Sequence, residues 1–172
     1  MKRLVVPIFS LVFLSQLIAC APMIIGGAAL TSKVAIDRRT AGIQLEDEAI
    51  ELRTSIGLRS QLPKNTHVRI SSYNRLVLIT GEVNNENERL QVGRIVKSQD
   101  NVKSVINELK IGPESSLTQR AEDTLITAKV RTQLIQAKDI HSSAVNIVTE
   151  QGVVYLMGRL TPREAKRVSD LV

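Results

Sequence analysis

Arg75-Leu76-Val77-Leu78-Ile79-Thr80-Gly81-Glu82 and Gly152-Val153-Val154-Tyr155-Leu156-Met157-Gly158-Arg159 are two versions of one segment, set 77 residues apart. Each is a short run of apolar, largely branched residues that stops at a glycine, which reads as a strand. The likeness spreads outward. Asp47-Glu48-Ala49-Ile50 aligns with Asp123-Thr124-Leu125-Ile126 at an offset of 76, Leu58 with Leu134, and Glu88 with Glu164 at the same offset. A register that changes by one only between elements is what loop insertions produce, so the chain holds an internal repeat.

Each copy implies the same order of elements. Ile126, Val130 and Leu134 recur every four residues and predict an amphipathic helix over about 122–137. Copy one carries Ile50 and Leu58 at that spacing with Thr54 between them, so its helix is expected to pack less well. Strands are predicted over 67–72 and 75–81 and over 144–149 and 153–158, joined at Asn74-Arg75 and Gln151-Gly152. Gly81 and Gly158 are expected to be structural, at strand exits where a missing Cβ permits a bulge or close approach. A second helix follows over about 85–99. Val105, Asn107, Leu109 and Ile111 are then expected on one face of a closing strand. Copy two reaches Val172 inside its second helix, which predicts that it is incomplete, without its last strand, and that the sequence is C-terminally truncated. A unit of this size is marginal alone, so the copies are expected to lean on each other.

The start of the chain differs in kind. Met1-Lys2-Arg3 is basic, Leu4 to Ile18 is mostly apolar, and Leu17-Ile18-Ala19-Cys20 closes the segment. This resembles the lipobox of bacterial lipoproteins, a resemblance that implies cleavage after Ala19 and lipid attachment at Cys20. The alternatives are an ordinary cleaved signal peptide and an uncleaved anchor, and the apolar run falls short of the ~20 residues a spanning helix needs. Ala21 after the cysteine favours the outer membrane, facing the periplasm. The resulting organisation is a signal peptide at 1–19, a lipidated flexible tether at 20–46, a first domain at 47–111, a linker at 112–120 and a second domain at 121–172.

Composition narrows the chemistry. The formal charge is +6 and falls to +4 once Lys2 and Arg3 leave with the leader. Phe9 and Phe13 leave with it too, so Tyr73 and Tyr155 are the only mature aromatics, which leaves nothing to stack nucleic-acid bases. With Cys20 alone, neither an intramolecular disulfide nor a thiolate metal cluster can form. His67 and His141 lie in separate copies without metal-ligand spacing. Carboxylates such as Asp47 and Asp123 are expected to cap helix N-termini. The reading is therefore a non-enzyme without cofactors.

The repeat resembles the BON domain, a small αββαβ module of Gram-negative envelope proteins. Together with the lipobox, it resembles the dual-BON outer-membrane lipoproteins associated with division and envelope stress. That resemblance implies an α+β fold of two tandem domains, each a small mixed three-stranded sheet on two helices. It also implies binding of anionic phospholipids such as phosphatidylglycerol and cardiolipin through the first helix of the second domain. On this sequence, Leu125 would supply apolar contact while Lys129, Arg131 and Lys138 face phosphate, and Ile126, Val130 and Leu134 remain core. The family's aromatic near Leu125 is absent. The alternative is a non-catalytic scaffold that docks an envelope protein partner.

Overall fold

The computed structural model describes residues 37–137 and 139–172. The leader, Cys20, most of the tether and Lys138 lie outside the described residues. Copy one comprises α1 (Ala41–Arg59), β1 (His67–Tyr73), β2 (Leu76–Val83), α2 (Glu86–Lys97), β3 (Ser104–Asn107) and β4 (Lys110–Ile111). Copy two comprises α3 (Leu117–Gln136), β5 (Val145–Glu150), β6 (Val153–Gly158) and α4 (Pro162–Ser169), with a 3₁₀ turn at Ser142–Ala144.

The helices begin earlier than their apolar stripes do. Thr40 caps α1 by accepting from Ile43 N–H, and Ser116 caps α3 by accepting from Gln119 N–H, whose side chain returns the bond. Those two caps stand 76 residues apart, as do Asn85 and Thr161, the caps of α2 and α4. α1 thus occupies Ala41–Glu46, residues the sequence assigns to the tether. Asp47 and Asp123 are not caps. Each is the seventh residue of its helix, is buried, and points at the sheet.

The first sheet is mixed. β1 and β2 form an antiparallel hairpin, and β3 and β4 both run parallel to β2. Leu76 pairs with Ser104 and Val83 with Ile111, the same offset, so β3 and β4 are two segments of one expected strand. It breaks because the Asn107 side chain turns inward, donating to Arg89 O and accepting from Leu109 N–H. Leu109 is buried, whereas Ile111, expected on the same face, is 54% exposed at the strand's far end. β2 runs past Gly81 to Val83 because β4 supplies a partner there, so Gly81 lies within the strand. It has φ +112, and a Cβ would meet His67 O at 2.0 Å. At Gly158, the true end of β6, a Cβ would come within 2.9 Å of Ala144 O. In copy two the β5–β6 hairpin alone covers the helices among the described residues.

Each hairpin sends alternate residues to its helices. Ile50, Leu58, Ile70, Val77, Ile79, Val92 and Val96 make one core, and Val130, Leu134, Val145, Ile147 and Val168 the other. The opposite sheet faces are buried as well, at Leu78, Thr80 and Glu82 in β2 and at Val148 and Glu150 in β5. They turn toward each other. Tyr73 Oη donates to Ala144 O at 3.5 Å and accepts Arg159 N–H at 3.1 Å, His67 Nε2 lies 3.4 Å from Glu150, and the Gln151 amide donates to Glu82.

These contacts obey a quasi-twofold rule. Tyr73 and Glu150 are equivalent residues, as are His67 and Ala144, so Tyr73 on Ala144 and Glu150 on His67 are one contact made twice. Likewise the segment before α1 reaches Arg159 through Arg38, and the segment before α3 reaches the equivalent Glu82 through Ser115. The duplicated unit pairs with itself as a twofold dimer would, within one chain.

Candidate functional site

α3 presents two faces. Val130 and Leu134 are buried and Ile126 packs against them, as expected of a core stripe. The opposite face carries Leu117, Ala121, Leu125, Ala128, Thr132 and Ile135, spaced by three or four residues and all exposed. Leu117, Leu125 and Ile135 are 82, 62 and 64% exposed. This apolar ridge runs the length of the helix without charge along its crest.

Of the residues the sequence nominates, Leu125 and Lys129 come together, four apart on one flank of the ridge. Arg131 does not join them. Six residues beyond Leu125, it turns about a third of the way round the helix and lines a cleft of about 260 Å³ between the copies, beside Arg39, Asp47, Tyr73 and Asn146. Both Lys129 and Arg131 are exposed, and among the described residues neither forms a hydrogen bond or ion pair. Leu117 and Ile135 were missed by sequence reasoning. Their signal was a chain of three- and four-residue steps through Leu125; Leu117 was hidden because the helix was expected to start at 122, while Ile135 lay inside the expected helix and went unused.

The cleft beside Arg131 is structural at its floor. Asp47 accepts N–H bonds from Asn74 and Arg75, the Ser72 hydroxyl and the Arg39 guanidinium, and Arg39 stacks 4.0 Å over the Tyr73 ring. Burial pushes the Glu51 carboxyl above its usual range, although it accepts Ser72 N–H. A quasi-equivalent cleft of about 150 Å³ has His67, Arg69, Arg120 and Thr127 around Asp123 and Glu150. At these floors Asp47, Glu51 and Asp123 each accept hydrogen bonds from neighbouring residues. His141 is exposed and far along the chain from His67. Among the described residues no His, Cys, Asp and Glu cluster could hold a metal ion.

Residues 53–113 and 122–172 each match the BON domain. The chain belongs to the BON-domain family. Over 99% of its length it is 30% identical to the outer membrane lipoprotein DolP of Haemophilus influenzae, covering 88% of that protein. It is also 26% identical, over 79% of its length, to a 21 kDa hemolysin of Actinobacillus pleuropneumoniae, covering 71% of it. Two BON domains with this end-to-end likeness make the chain a dual BON-domain outer-membrane lipoprotein, held by lipid on the periplasmic side. Among the described residues no helix is long and apolar enough to cross a membrane.

Proposed function

We propose that this BON-domain protein is a non-catalytic phospholipid-binding protein that helps maintain the outer membrane, with the outer ridge of α3 as its lipid-facing surface. The observation that carries this reading is the ridge itself. Leu117, Leu125 and Ile135 expose apolar surface along one helix that already has a satisfied core face, and Lys129 flanks it with an ammonium that no described residue pairs. A helix of that kind lies in the headgroup region with its apolar crest in the acyl boundary. Lys129 near an anionic surface is worth about 1 kcal/mol, and Arg131, on the other flank, contributes only if the headgroup layer reaches the cleft mouth. Lys138, outside the described residues, remains a proposed phosphate-facing cation on sequence grounds. Lipid on Cys20 would hold the domain at the leaflet, so individually weak contacts suffice through raised local concentration.

The test is flotation of a Cys20→Ser chain with vesicles of phosphatidylglycerol and cardiolipin against phosphatidylcholine. Preference for the anionic vesicles is expected, and Leu125→Ser or Lys129→Glu should each weaken it about tenfold, following the apolar and charge contributions above. Equal flotation with neutral vesicles, or no effect of either substitution, would move the reading to a scaffold that docks an envelope protein.

A further inference from the structure

A second apolar stripe lies on α1, in the other BON domain, and its surroundings do not suit an anionic leaflet. Leu45, Leu52 and Ile56 are 67, 63 and 59% exposed. With Ala49 they repeat at intervals of four, three and four on the side opposite the buried stripe of Asp47, Ile50, Thr54 and Leu58. Intervals of this kind form the seam along which two helices pack. The remaining charges on α1 are Glu46, Glu48 and Glu51 against Arg53 and Arg59, a net negative helix, whereas the ridge of α3 has Lys129 and Arg131 beside it.

We propose that α1 is a self-association surface, on which two copies of this chain pack their α1 helices antiparallel about a dyad between Ala49 and Leu52. That arrangement sets Leu45 against Ile56 of the second copy and Ala49 against its Leu52, so each small residue receives a large one. Charge selects the same register. Glu46 and Arg53 share the flank of the stripe, where they already pair at 3.0 Å within the chain. An antiparallel partner brings its own Arg53 beside Glu46 and its Glu46 beside Arg53, closing a four-charge network. One helix pair buries less than the ~1,200 Å² of a standard interface, so the contact is weak and depends on both copies being confined to one membrane.

The experiment uses full-length lipidated chain reconstituted in phosphatidylcholine vesicles, with donor and acceptor dyes placed through Ser60→Cys and energy transfer measured against random encounter. Wild type should exceed the random level, and Leu52→Ser should return it there. Glu46→Arg alone and Arg53→Glu alone should each associate about tenfold more weakly, since each sets like charges across the dyad. Mixing those two variants should restore wild-type transfer, because every cross-dyad pair is then complementary while the repulsion inside each chain persists. Wild-type transfer at the random level, indifference to Leu52→Ser, or a mixture no better than its components would overturn the proposal.

Discussion

Asp47 and Asp123 stand 76 residues apart and make the same two bonds. Each sets one carboxylate oxygen on each backbone N–H of the turn joining its hairpin, at 2.7 Å to Asn74 and Arg75 and at 2.8 and 2.7 Å to Gln151 and Gly152. Those four turn residues have positive φ, between 49 and 72°, the geometry a two-residue hairpin of this twist requires. Three of them are not glycine and bear strain for it. The aspartates hold the turns closed and lock helix to sheet. Asp47→Ala and Asp123→Ala should each cost about 3 kcal/mol, since hydrogen bonds to a charged acceptor are worth about 1.5–3 kcal/mol and two are lost. Asp47→Ala should be the worse, because it also removes the bonds from Arg39 and the Ser72 hydroxyl. Urea midpoints at constant m-value would measure both.

Both aspartates also mark where the sequence could be read and where it could not. Strands, hairpin turns and inner helix stripes were legible because they alternate or recur locally, as Ile126, Val130 and Leu134 do. The first six residues of α1 and α3 were not, since they bury no side chain and only the caps Thr40 and Ser116 mark them. Starting those helices late turned Asp47 and Asp123 into apparent caps. The contact between the copies was illegible for another reason: Tyr73, His67, Glu82 and Arg159 meet partners 33 to 121 residues away with no local pattern. In the candidate site, Leu125 was legible as the apolar residue left over from the core stripe. Separation of Lys129 from Arg131 follows from helical phase alone, but its consequence, a cleft under Arg131, needs the other copy in place.

The Tyr73 hydroxyl joins the copies by giving its proton to Ala144 O and taking one from Arg159 N–H. Tyr73→Phe keeps the ring under Arg39 and removes only that bridge. It leaves the part-buried Arg159 amide without its partner, which should cost about 1 kcal/mol. Because the bridge spans the copies, the loss should also split a single unfolding transition into two, seen as divergence between calorimetric and van't Hoff enthalpies. A uniform shift with cooperativity intact would mean that contacts other than this bridge couple the copies.

Two glycines should respond oppositely to alanine. Gly81→Ala forces a Cβ against His67 O and into a φ that L residues avoid, so a loss of about 3 kcal/mol or more is expected. Gly57 lies inside α1, where an added Cβ would meet nothing within 4 Å, and Gly57→Ala should stabilise by about 0.5–1 kcal/mol. Thermal melts of the two variants would bracket the wild type.

Glu164 lies under Arg38, whose guanidinium bonds both carboxylate oxygens at 2.9 and 2.7 Å, while Thr161 N–H and hydroxyl add two more bonds. Together, with Arg38 first, they hold its pKa down at about 2. A carboxyl depressed in the folded state favours folding above its ordinary range near 4.5, and that contribution is lost as pH falls from there through about 2. Arg38→Ala should raise the Glu164 midpoint toward the ordinary range without reaching it, because the Thr161 bonds persist. Side-chain carbon shifts followed by NMR titration would report the midpoint, and an unchanged value would remove Arg38 as its cause.

Thr54 sits in the middle of the inner stripe of α1 at 0% exposure, and its hydroxyl has no hydrogen-bond partner among the described residues. The equivalent position in copy two is Val130, buried in the other core. Copy one therefore holds a buried polar atom where its twin holds a methyl group of the same shape. An unsatisfied buried hydroxyl costs about 1–3 kcal/mol, and replacing it with an apolar isostere recovers part of that. Thr54→Val should accordingly raise stability by about 1 kcal/mol, whereas Val130→Thr should lower it by at least as much. Chemical denaturation of both variants checks the pair, and a destabilised Thr54→Val protein would mean that the hydroxyl finds a partner in solution.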